Sequence, residues 1–106
     1  LFVDNNGLQI DGSVKDVMSP YPIDEMFASF GWNVINIDGH NFDEIEKACK
    51  CFEKSEKPMA VICRTIKGKG VSFMENQASW HGKAPNKEQY EQAMSELNDA
   101  LAALND

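Results

Sequence analysis

Three short stretches of this 106-residue chain bring together side chains suited to holding a metal ion or an anion. The first is Asp4-Asn5-Asn6-Gly7, which follows the apolar run Leu1-Phe2-Val3. A carboxamide oxygen and a neighbouring main-chain carbonyl are hard donors, suited to a Mg²⁺ that also holds a diphosphate. The second is Lys67-Gly68-Lys69-Gly70, where glycines let backbone amides approach phosphate oxygens and lysine supplies positive charge. It is not a Walker A motif, since the spacing and the Ser/Thr are wrong. The third is Ser79-Trp80-His81-Gly82-Lys83, a loop histidine that could donate to a phosphate or shuttle a proton. Each stretch, taken alone, also fits an ordinary solvated turn. His40, in Asp38-Gly39-His40-Asn41, reads as structural because its neighbours are turn and cap residues.

The elements that must position these groups alternate. Leu1-Phe2-Val3 reads as a buried strand ending in a polar loop, where open α/β sheets bind ligands. Ser13 to Met18 suits a helical turn, and Ser19-Pro20-Tyr21-Pro22 a rigid loop. Ile23, Met26, Phe27 and Phe30 fall at helical spacing, with Pro22 at the first turn and Gly31 at the C-terminal cap; the stripe is expected to pack in the core. Trp32 to Ile37 predicts a strand. Asn41 and Glu44 then form a capping box for a helix with Phe42, Ile45, Cys49 and Phe52 on one face. Pro58-Met59-Ala60-Val61-Ile62-Cys63 is continuous enough to be a strand buried on both faces. Asn86 and Gln89 cap a last helix striped by Tyr90, Ala93, Met94, Leu97, Leu101 and Leu104. The predicted fold class is α/β, a partial parallel sheet with flanking helices.

Composition narrows the function classes. The charge of −7 argues against a nucleic-acid surface and gives an anionic lipid surface nothing to attract. An acidic chain that binds a diphosphate must gather its few cations locally. No apolar run is long enough to span a bilayer. Cys49, Cys51 and Cys63 are an odd number without metal spacing, and are expected to be reduced, mostly buried thiols of a cytoplasmic protein.

Asp4-Asn5-Asn6-Gly7-Leu8-Gln9-Ile10-Asp11-Gly12 resembles the second half of the thiamine-diphosphate motif of transketolases. Thr65-Ile66-Lys67-Gly68-Lys69-Gly70 with Trp80-His81-Gly82-Lys83 resembles a second segment of that family. Phe27-Ala28-Ser29-Phe30-Gly31-Trp32 and Asp38-Gly39-His40-Asn41 match further ones, so nearly the whole chain is covered. The resemblance implies a thiamine-diphosphate-binding fold. Asn6 would give its side-chain oxygen to Mg²⁺ (Ca²⁺ or Mn²⁺ as stand-ins) and Leu8 its backbone carbonyl. Ile10 would pack beside the cofactor. Lys67 and His81 would contact the diphosphate, with His81 also near the reacting end of the substrate.

The Gly-Asp-Gly half of the motif is not in the sequence, so residues 1–106 are expected to be the C-terminal part of the diphosphate-binding domain. The start inside an apolar strand without Met suggests a fragment or processed product. The resemblance further implies ketol transfer between sugar phosphates and a partner subunit with the pyrimidine-binding domain. A dimer of such pairs is expected, and no activity from this chain alone. The alternatives are another enzyme on the same scaffold, such as dihydroxyacetone synthase, or a non-catalytic α/β interaction module.

Overall fold

In the computed structural model, residues 1–104 are described. Strand β1 (Phe2–Asn5) leads into a short antiparallel pair, β2 (Leu8–Gln9) and β3 (Gly12–Ser13). Helices α1 (Val14–Val17) and α2 (Ile23–Ser29) follow, then β4 (Asn33–Asp38) and α3 (Phe42–Phe52). Strand β5 (Met59–Arg64), a 3-10 turn at Ala78–Trp80 and α4 (Lys87–Ala103) complete the order.

β1, β5 and β4 form a parallel sheet in that spatial order, confirming the α/β expectation. β5 takes the centre because it alone is apolar along nearly its whole length. Met59 through Cys63 are all buried, as a strand covered on both faces requires. The register sets Arg64 beside Asn5 on one side and Asp38 on the other. All three strands therefore finish in line, and the loops carrying Asn6, His40 and Lys67 leave the same edge.

The core is small: Ile37, Met59, Val61 and Cys63 from the sheet meet Ala48 of α3, with Ile35 and Ile45 against them. The helix stripes expected to be core are not. No residue of α2 is buried, and Phe30 beyond its end is 81% exposed. In α3 the buried residue is Ala48, whereas Phe42 and Phe52 face outward. α4 buries only Ala93, and Leu104 at its end is 83% exposed. Three strands offer too little sheet surface to cover three apolar helix faces. The thiols divide the same way. Cys63 is buried, but Cys49 and Cys51 are exposed, against the expectation of mostly buried cysteines.

The caps differ in one instructive respect. Asn86 and Gln89 make the full reciprocal box, at 2.9 Å each way. Asn41 accepts from the N–H groups of Asp43 and Glu44, but Glu44 does not complete its box. Its Oε2 accepts instead from the N–H of Asp38 at 2.7 Å, tying the start of α3 to the end of β4.

Candidate active site

The turn after β1 separates two adjacent asparagines. Asn5 Oδ1 accepts from the Tyr21 hydroxyl at 2.7 Å, which holds it toward the loop before α2. Asn6 Oδ1 accepts from the N–H of Leu8 at 2.9 Å, closing a local Asx turn. Gly7 sits inside that turn at φ +75°, where a side chain would be strained. Its carbonyl accepts from Val14 N–H at 3.0 Å, and Leu8 pairs with Ser13, so both ends of the turn are anchored. A carboxamide oxygen has two lone pairs, and the Leu8 amide uses one. The other is available to a cation.

The segment after β5 is longer and folds on itself. Asn76 N–H donates to the Lys67 carbonyl at 3.0 Å, and Asn76 adopts φ 56°, a left-handed conformation that asparagine tolerates. Gly68, at φ +70°, lies so close to Met74 that a Cβ would meet its backbone at 2.7 Å. The next amides are already engaged. Lys69 N–H donates to Ile66 O, Gly70 N–H to Glu75 Oε1 and Val71 N–H to Gly68 O. The glycines thus serve the fold of the loop. They do not present the bare amide cradle that their composition suggests.

Two further contacts brace this loop. The Trp80 indole N–H donates to the Phe73 carbonyl at 3.0 Å, and the two rings pack 5.4 Å apart, fixing the turn that carries His81. Lys83 Nζ lies 4.8 Å from the centre of the Trp80 ring. From α4, Glu96 accepts from both the N–H and the hydroxyl of Ser72, at 2.6 and 2.7 Å, and from Gln92 at 2.8 Å. The Ser72 hydroxyl first, then the Ser72 amide and Gln92, hold the Glu96 carboxyl below its ordinary range.

These turns enclose a cavity of about 390 Å³ lined by Asp4, Asn6, Leu8, Gln9, Ile10, Lys67 and His81. All five residues selected from sequence (Asn6, Leu8, Ile10, Lys67 and His81) border this one space. Asp4 and Gln9 join them without having been singled out by the motif reading. Asp4 accepts from the Thr65 hydroxyl across the strand ends, and its position at the end of β1 is the signal that could have found it. Lys69 lies elsewhere, in a second cleft with Asp38, His40, Arg64, Thr65 and Ile66. Among the described residues no cluster of three or more His, Cys, Asp or Glu could hold a metal alone. The fitting donor set is instead one carboxamide and one carbonyl, with Lys67 and His81 opposite. That is the hard-oxygen and cationic arrangement that a Mg²⁺–diphosphate pair requires.

Residues 1–99 match the family described as transketolase, thiamine diphosphate binding domain. The chain is 37% identical over 103 residues to one subunit of the apulose-4-phosphate transketolase of Phocaeicola vulgatus, covering 96% of this chain and 37% of that one. It is 38% identical over 97 residues to one subunit of the 6-deoxy-6-sulfo-D-fructose transketolase of a Clostridium species, covering 91% and 35%. A solved transketolase from Campylobacter jejuni superimposes with a TM-score of 0.83 at 30% identity, over 91% of this chain and 15% of that chain. The chain thus spans roughly a third of the length of these two relatives. No helix among the described residues is long and apolar enough to cross a membrane.

Proposed function

The chain belongs to the transketolase thiamine diphosphate-binding domain family, and on that premise we propose that it builds the metal- and diphosphate-holding side of a transketolase active site. The observation that carries this reading is the single cavity bordered by Asn6, Leu8, Ile10, Lys67 and His81. Asn6 Oδ1 and the Leu8 carbonyl would ligate Mg²⁺. The Lys67 ammonium and the His81 ring would hold diphosphate oxygens by charge-assisted bonds, each worth about 1.5–3 kcal/mol. Ile10, 66% exposed at the mouth of the cavity, gives the cofactor rings an apolar side chain to pack against. Thiamine diphosphate, when bound, supplies a carbon nucleophile and an electron sink that no side chain offers. His81 adjoins the reacting end of the substrate, where its ring can bond a substrate hydroxyl and pass a proton.

The reaction proposed is transfer of a two-carbon ketol unit from a ketose phosphate to an aldose phosphate. Residues 1–106 serve as the C-terminal part of the diphosphate-binding domain, with a Gly-Asp-Gly segment elsewhere in the protein completing the metal site. Relatives named as single subunits of transketolases support a hetero-oligomer in which a second polypeptide brings the pyrimidine-binding domain, two such pairs assembling together. On its own the chain is proposed to be inactive. The experiment is to assay Asn6→Ala, Lys67→Ala and His81→Ala in the complete enzyme. Each lowers cofactor-dependent ketol transfer at least tenfold, and the first two weaken cofactor affinity. Unchanged activity and affinity in all three would return the chain to the reading of a non-catalytic interaction module, which the exposed helix faces favour.

A further inference from the structure

Lys67 leaves the sheet through Thr65 and Ile66, and both residues are gripped by neighbouring strand ends. From β1, Asp4 accepts from the Thr65 hydroxyl. From the turn after β4, His40 Nε2 accepts from the N–H of Ile66 at 2.8 Å. That turn is itself fixed. The His40 N–H donates to Asp38 Oδ1 at 2.9 Å, and the Gly39 N–H to the Arg64 carbonyl at 2.8 Å. It also rides directly on β5, because a Cβ at Gly39 would lie 2.9 Å from the Cβ of Cys63 and 3.2 Å from the Arg64 carbonyl. An imidazole nitrogen that accepts carries no proton, so this bond assigns the neutral tautomer with its hydrogen on Nδ1.

We infer that His40 is a positioning residue for Lys67: its Nε2 holds the amide one residue before the lysine and so sets where the ammonium meets the diphosphate. This deepens, and rests on, the reading of Lys67 as a diphosphate ligand. His40 does not line the Lys67 cavity; it lies in the adjoining cleft and acts through the backbone. A side chain that cannot accept frees the Ile66 amide and lets the lysine drift, and small misplacements of a positioned group are costly.

The test measures thiamine diphosphate affinity, with Mg²⁺ saturating, by calorimetry on the complete enzyme. His40→Leu weakens binding about tenfold, whereas His40→Gln, whose amide oxygen reaches as far as Nε2, binds within about twofold of the unaltered protein. Lys67→Ala weakens binding more than His40→Leu. A weakened Lys67→Ala with an unaffected His40→Leu overturns the positioning role and leaves the lysine reading standing. A His40→Gln as weak as His40→Leu also overturns it, since ring packing would then matter and not the acceptor. An unaffected Lys67→Ala overturns the lysine reading itself. Should His40→Leu fail to fold, ¹⁵N spectra of the unaltered protein decide: an unprotonated Nε2 supports the proposal, and a protonated one contradicts it.

Discussion

The strand-end edge and the helix faces of this chain stand in opposite conditions. At the edge, polar side chains have partners supplied by the chain itself: Asn6 by Leu8, Asp4 by Thr65, His40 by Ile66 and Glu44 by Asp38. On the helices, apolar side chains lack cover. Phe30, Phe42 and Leu104 are each more than 80% exposed, and an apolar hollow of about 430 Å³ opens between α2 and the β1 loop, walled by Val3, Leu8, Ile23, Met26 and Phe27. The hydrogen bonds of a turn are short-range and need few residues. Burial scales with surface, and three strands supply little of it. Local geometry at the candidate site is therefore determined within this stretch of sequence, whereas the apolar helix faces are left without a surface to cover them.

The sharpest way to break that contrast is at Gly68. Valine there must adopt φ +70° and place a Cβ against the backbone of Met74, so the loop carrying Lys67 cannot keep its shape. Cofactor affinity should fall about 100-fold or more. Retained affinity would show that the loop geometry does not matter to binding.

A smaller effect separates core from stripe. Val61→Ala, at the centre of β5, should cost about 2 kcal/mol of stability. Phe30→Ser should cost a few tenths at most, while lowering self-association of the chain in sedimentation experiments. Equal destabilisation by the two would mean that the α2 face is already core.

The pH response of the α4 contact is smaller again. The folded pKa of Glu96 is depressed, so its contribution is fully present above the unfolded carboxylate pKa. It is lost as pH falls through the lower folded value. Glu96→Gln should remove that acid dependence from hydrogen exchange at Ser72. The thiols give the mildest contrast. Burial first, then the nearby Asp4 charge, push the Cys63 thiol up, so alkylation at pH 8 should label Cys49 and Cys51 well before Cys63.

Much of this is legible in the sequence, for reasons that differ by element. Met59 to Cys63 declares a central strand because an unbroken apolar run has one comfortable place in a parallel sheet. Asn86 and Gln89 mark a helix start because their bonds span three residues. Asn6, Leu8, Ile10, Lys67 and His81 stand out by resemblance, and the three parallel strands that end in line bring them to one rim. What is not legible depends on long-range partners. Nothing local says that Glu44 bonds Asp38 rather than the N-cap, that Asp4 meets Thr65 across 61 residues, or that Gly70 gives its amide to Glu75. The stripes of α2 and α4 read as core in the sequence because periodicity reports which face is apolar, not whether a surface exists to cover it.

The most direct measurement is a crystal structure of the complete enzyme with thiamine diphosphate and Mg²⁺. The account predicts Asn6 Oδ1 and the Leu8 carbonyl on the metal at about 2.0–2.1 Å, with Lys67 Nζ and the His81 ring within hydrogen-bond reach of the diphosphate. A diphosphate seated away from the Asn6–Lys67–His81 rim, or a metal held without Asn6, would contradict it.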